Sequence, residues 1–241
     1  MKHALALVLL FLPLRDEKEE LKKALEKTAA AKSYFCQWSD ELALMGNARP
    51  ISGATEWQAP DLVTWRTGLT EIVKKGDVAM SKGKDGWVKA DDERRGKAIA
   101  AKLKPAHETA KEIVEKIDDP KKGKEAEVNK VKYKVISGTL AGEVLKGLVI
   151  AARPTMGMVA NAIDWKESKA GVDVLIDKKS GRIFRIAIAG DLKAVPLPIK
   201  GASGSNTVAY KHSLEFLEYD TSKPMIDPEV KKTLGIEDEE K

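Results

Sequence analysis

A two-residue apolar rhythm that recurs along the chain constrains its fold most strongly. Val131, Tyr133 and Val135 alternate with Lys130, Lys132 and Lys134. Val172, Val174 and Ile176 alternate against Asp173 and Asp177. Phe184, Ile186 and Ile188 read as one face of the next strand, and Tyr210, His212, Leu214 and Phe216 line one face of a last long strand. Successive side chains of a strand point to opposite faces, so each pattern describes a strand with one buried and one wetted side. Such strands, joined by tight turns, build antiparallel sheets. Asp85-Gly86 and Lys178-Lys179-Ser180-Gly181 supply turn chemistry of the required kind. Earlier strands are expected over 34–44, 55–59, 62–66, 71–74 and 77–81. In the second of these, Trp57 lies on one face and Glu56 and Gln58 on the other.

Three segments depart from this rhythm and show helical spacing. Asp16 with Glu19 forms a capping-box pair, and Leu21, Ala24, Leu25 and Thr28 then mark one face of a helix over 17–32. Pro105 suits a first helical position, followed by Ala106, Ala110, Ile113 and Ile117. Leu140, Val144, Leu148 and Ala151 give a third helix over 140–152, ending at Arg153-Pro154. Met156-Gly157-Met158 follows, and flexible thioethers beside a glycine re-pack around variable partners or simply fill a core. Residues 91–104 are charged without a clear period, 118–123 reads as a loop, and 224–241 reads as a polar, frayed tail.

The 241 residues are enough for one large domain without disulfide support. No linker or internal repeat divides the chain. The expected organisation is a signal segment over 1–14, one domain over 15–236 and an acidic tail over 237–241. Met1-Lys2-His3 followed by apolar Ala4 to Leu14 matches the basic and apolar regions of a secretory signal, and the run is too short to span a bilayer. No small-x-small cleavage pair follows it, so a retained anchor stands beside cleavage. Either way the expected location is periplasmic or otherwise exported.

Chemical motifs are scarce. The net charge of +5 comes from 42 basic and 37 acidic residues interspersed along the chain, without the interleaved aromatics of a single-strand nucleic-acid binder. The one cysteine, Cys36, permits no internal disulfide and reads as a packing residue in Tyr34-Phe35-Cys36-Gln37-Trp38. His107 sits on a charged helix, and His212 reads as a satisfied or solvent-facing histidine in a strand. Metal, phosphate-loop and serine-elbow motifs are missing. No metal, cofactor or nucleic acid is expected, and an enzyme is not expected; a hydrolase with a dispersed site is the remaining catalytic alternative.

The aromatic placement is informative. Trp38, Trp57, Trp65, Trp87 and Trp165 all fall in or beside expected strands. A curved sheet with such residues on its concave face, roofed by apolar helices, offers a large apolar pocket. A conventional filled core is the competing outcome, and the sequence leaves both open.

The order of elements resembles the outer-membrane lipoprotein carrier superfamily, LolA and its LppX-like relatives. The resemblance rests on an export signal leading into the helix with Leu21 and Leu25, then the strand entry Ser33-Tyr34-Phe35. It continues through Gly53, Trp57, Pro60-Asp61-Leu62 and Trp65, the Asp85-Gly86-Trp87 turn, and the hairpin from Asp177 to Ile183. It covers roughly residues 17–220. It implies an α+β fold, a strongly curved antiparallel sheet forming an incomplete β-barrel with helices as a lid over its concave face. It also implies a hollow for lipid or for the acyl chains of a lipoprotein. On that basis the ligand is expected against Trp57, Leu62, Trp65 and Trp87 of the sheet and Val144, Leu148, Met156 and Met158 of the lid. The resemblance departs at Ala59, where the lipoprotein carrier has an arginine that holds its lid shut. Expected partners are lipid or acylated lipoprotein and membrane-associated proteins. The alternative is a sensor or interaction module of the same fold with a filled core.

Overall fold

The computed structural model describes residues 17–44, 47–68, 70–152, 161–195 and 207–237. The expectations for the signal segment and for Met156 and Met158 lie outside these residues.

Among the described residues, twelve strands form one open antiparallel sheet. The strands are β1 (Ser33–Leu44), β2 (Asn47–Gln58), β3 (Leu62–Thr67), β4 (Thr70–Lys75), β5 (Val78–Gly83) and β6 (Gly86–Lys89). They continue with β7 (Asp118–Lys122), β8 (Ala126–Val128), β9 (Val131–Ala141), β10 (Lys169–Asp177), β11 (Ile183–Lys193) and β12 (Thr207–Leu217). The spatial order is β6-β5-β4-β3-β2-β1-β12-β11-β10-β9-β7, with β8 also paired to β9. The first and last long strands therefore meet at the centre of the sheet, where Cys36 faces Phe216, Trp38 faces Leu214 and Asp40 faces His212.

The alternation decides which residues enter the interior. From β1 and β12, Tyr34, Cys36, Trp38, Leu42, Tyr210, Leu214 and Phe216 join the main core, together with Ile136, Val174 and Ile186 from the other half. Trp38 lies flat across β2 because residue 53 is glycine: a Cβ there would stand 2.5 Å from the indole and 2.3 Å from the Arg66 carbonyl oxygen. That close approach lets Trp38 stack on Trp65, with centroids 6.0 Å apart and planes tilted by 16°.

Helices α1 (Glu17–Ala29), α2 (Arg94–Ala100), α3 (Ala106–Val114) and α4 (Gly142–Ala152) cover the concave side. Acidic Glu17, Glu19 and Glu20 open α1 and Lys27 closes it, in keeping with the helix dipole. Its buried face is Leu21, Ala24, Leu25 and Thr28, at the expected spacing. Thr28 ties the helix to the sheet: its hydroxyl donates to the Ala24 carbonyl and accepts from the Ile183 amide at 3.0 Å.

Several expectations need correction. Leu140 belongs to β9, paired with Ala170, and the helix starts two residues later at Gly142. A Cβ at Gly142 would stand 1.8 Å from the Trp165 carbonyl oxygen, so only glycine allows the helix to start there. Residues 94–100 are helical. Residues 118–122 form an edge strand rather than a loop, irregular between Asp118 and Lys121, and Pro120 is tolerated there at a sheet edge. A register shift between Leu175 and Ile176 reverses the faces at the start of β11. Ile183 is consequently the interior residue, while Phe184 lies outside and stacks on Tyr133 at 4.3 Å.

The tail is structured as well. Helix α5 (Pro228–Leu234) has Asp227 as its cap, accepting from the Glu229 amide at 2.9 Å, with Pro228 at the first turn. It lays Val230 and Leu234 on Leu62, Val73 and Met80, with Trp87 and Ile236 alongside. These sheet residues are on the convex face, because Leu62 and Trp65 are an odd number of positions apart. The β3–β5 sheet is thus covered on both sides, and its two apolar faces contribute to different clusters.

Candidate functional site

The concave face contains an apolar cavity of about 130 Å³. Its floor is Cys36 and Trp38 of β1, Thr55 of β2, Trp65 of β3, and His212 and Leu214 of β12. The roof comes from Ile99 of α2, Ala106 and Thr109 of α3, and Leu148 and Ala152 of α4. The space exists because small side chains occupy facing positions. Thr55 below and Ala106, Thr109 and Ala152 above do not reach each other.

A groove of about 750 Å³ adjoins the cavity. It runs between α3 and α4, along Ile113, Val144, Gly147, Leu148 and Ile150. Leu103, Thr109, Leu148 and Ala151 line both spaces, so cavity and groove lie side by side. Charged residues stand at the rim: Lys102, Lys104 and Lys116 on one side and Glu112 and Glu143 among them, with Lys104 paired to Glu112 at 2.5 Å. The roof is anchored where α2 ends, since the Lys74 ammonium donates to the Ala100 and Leu103 carbonyls at 3.3 and 3.4 Å.

Beside the cavity the interior is filled. The Tyr34 hydroxyl accepts from the His107 amide at 3.0 Å and lies 2.9 Å from His107 Nδ1, pinning the start of α3 to β1. Trp57 packs edge-on to the same imidazole at 4.8 Å, and Tyr34 meets Phe216 edge-on at 5.2 Å. Burial lowers the His107 pKa, which keeps the ring neutral and able to accept the tyrosine proton. Burial also pushes the Cys36 thiol far up, so it stays protonated at the cavity floor and is no nucleophile.

Among the residues singled out in the sequence, the structure places Trp65 and Leu148 at the cavity and Val144 with Leu148 at the groove. Trp57 stands in the filled region. Leu62 and Trp87 are beneath α5 on the opposite face, where Lys82 lies 5.5 Å from the Trp87 ring. Sequence reasoning missed Trp38, Thr55 and Leu214 as lining residues; Leu214 was already read onto one face of the last strand, and the same two-residue step from Cys36 finds Trp38. His212 also differs from expectation. It is only 7 % exposed, and neither ring nitrogen has a hydrogen-bond partner among the described residues, so it is neither solvent-facing nor satisfied.

No protein-family model matches the chain, and no curated protein matches it. Solved structures do. LprF from Mycobacterium bovis superposes with a TM-score of 0.50 at 10% identity, over 88% of this chain and 96% of that one. The lipoprotein LppX of Mycobacterium tuberculosis gives 0.49 at 12% identity, over 87% and 97%. A LolA superfamily protein from Nitrosomonas europaea gives 0.29 at 9% identity, over 89% and 96%. The likeness to LprF is one of fold, and it extends over nearly the whole of both chains. Together with the open curved sheet and its helical cover, it identifies the fold of this chain as the one seen in LprF.

Proposed function

We propose that this protein is an exported carrier of lipid-like ligands, a binding protein and not an enzyme. It would hold an apolar chain in the cavity and groove between the sheet and helices α3 and α4. The observation that carries this reading is an apolar cavity lying beside an open groove, with Leu103, Thr109, Leu148 and Ala151 lining both. Each methylene buried there contributes about 0.8 kcal/mol. A chain entering along the groove would therefore gain several kcal/mol before any polar contact. The occupant is free lipid or the acyl part of a lipoprotein, received from or delivered to a membrane or a membrane-associated partner. Val144, Leu148 and Trp65 are its proposed contacts, with Trp38 and Leu214 added to them. Trp57 supports the site from the filled region.

Native mass spectrometry with lipid extraction, on protein purified from the exported compartment, tests this. Near-stoichiometric bound acyl lipid supports the carrier, and Leu148→Asp should remove it while the protein still folds. A clean apo mass, unchanged after incubation with lipid vesicles, overturns the carrier and favours an interaction module of the same fold.

A further inference from the structure

The cavity is not purely hydrocarbon-lined. Asp40 is 0 % exposed and His212 7 %, and they face each other across β1 and β12 on the interior side of the sheet. The Asp40 carboxylate oxygen Oδ2 lies 3.4 Å from His212 Nδ1 without closing a hydrogen bond. Tyr210 stacks along the imidazole, with centroids 6.4 Å apart and planes tilted by 16°. His212 itself lines the cavity, next to Leu214 and Trp38, and its Nε2 has no hydrogen-bond partner among the described residues. A buried polar atom left unsatisfied costs about 1–3 kcal/mol, so such groups in native proteins call for an explanation.

We propose that His212 is a hydrogen-bonding subsite within the cavity that selects ligands bearing an aliphatic hydroxyl at their buried end. This rests on the carrier reading above and specifies its ligand class. The carboxylate beside Nδ1 favours the tautomer with the proton on that nitrogen. Nε2 is then the free acceptor of the ring, buried at the wall of the cavity that His212 lines. A hydroxyl entering ahead of an apolar chain donates to it, while the chain occupies the space toward Leu148 and the groove. A ligand carboxylate is disfavoured, because in its ionised form it has no proton to donate to the accepting Nε2. The matching chemistry is that of a lipid alcohol, from either a hydroxylated acyl chain or a free glycerol hydroxyl.

Titration calorimetry with two neutral isosteres, decanol and methyl nonyl ether, tests the subsite. The ligands have the same number of heavy atoms, and only the alcohol donates a hydrogen bond. Decanol is expected to bind about tenfold tighter to the unaltered protein, the worth of one neutral hydrogen bond. In His212→Leu the two affinities should become about equal, with ether binding retained. Methyl omega-hydroxydodecanoate and monododecanoylglycerol then separate the two sources, since only the true source should lose affinity in His212→Leu. Equal affinities in the unaltered protein overturn the subsite while leaving the carrier intact, and this arm needs no variant. A preference that survives in His212→Leu also overturns it. If neither isostere binds, the carrier reading itself fails.

Discussion

The two regions of the concave face are built from the same strands and differ in what their side chains do to the space. In one, Tyr34, Trp57, His107 and Phe216 meet ring against ring and leave no room. In the other, Thr55, Ala106, Thr109 and Ala152 fall short of one another and leave the cavity. Two residues on one face of β2 show the contrast directly: Trp57 closes one region and Thr55, two positions earlier, opens the other. A barrel that was hollow throughout would give up the packing that stabilises it, and a barrel filled throughout would bind nothing. Here the filled region supports the hollow one.

The largest effect should come from breaking the filled region. Trp57→Ala is expected to lose about 3–5 kcal/mol of stability, read from urea denaturation, while ligand affinity in the remaining folded protein changes little. A selective loss of ligand with stability intact would instead place Trp57 in the binding surface. Filling the hollow region should do the reverse. Thr55→Phe is expected to change stability by less than about 1.5 kcal/mol, because its ring enters existing space, and to abolish lipid uptake measured by native mass spectrometry. Unimpaired uptake would separate the cavity from the binding site. Acidification should have the smallest effect. The folded-state pKa of His107 is lowered by burial, so its contribution is fully present above the unfolded value of roughly 6.5 and declines as pH falls through the folded one. Hydrogen exchange at the first amides of α3 should accelerate over that window, and Tyr34→Phe should blunt the response. Exchange that is flat across the window would show that the Tyr34–His107 contact does not hold the helix.

Alternation made most of the sheet legible, because a half-buried strand must place every second residue in the core. The parity of Tyr34, Cys36 and Trp38, and of Tyr210, His212, Leu214 and Phe216, was readable without coordinates. Where both faces are covered, the same logic misleads. Leu62 and Trp87 were expected at the pocket from the family resemblance, but α5 covers the convex face, and the polar composition of 224–241 concealed that helix. The shift at Leu175 and Ile176 left Phe184 outside while Ile186 and Ile188 stayed in the interior, because one irregular residue puts the stretches on its two sides out of phase.

By itself the sequence determined most of the long strands, the buried faces of β1 and β12, and helices α1 and α3, since these follow from local periodicity and turn chemistry, while the curved-sheet architecture was implied by the family resemblance. Only the tertiary structure decided that small residues oppose one another across the lid, that Asp40 stands against His212, and that α5 closes the back. Those features depend on which side chains meet across distant segments, and periodicity along a chain carries no measure of the distance between them.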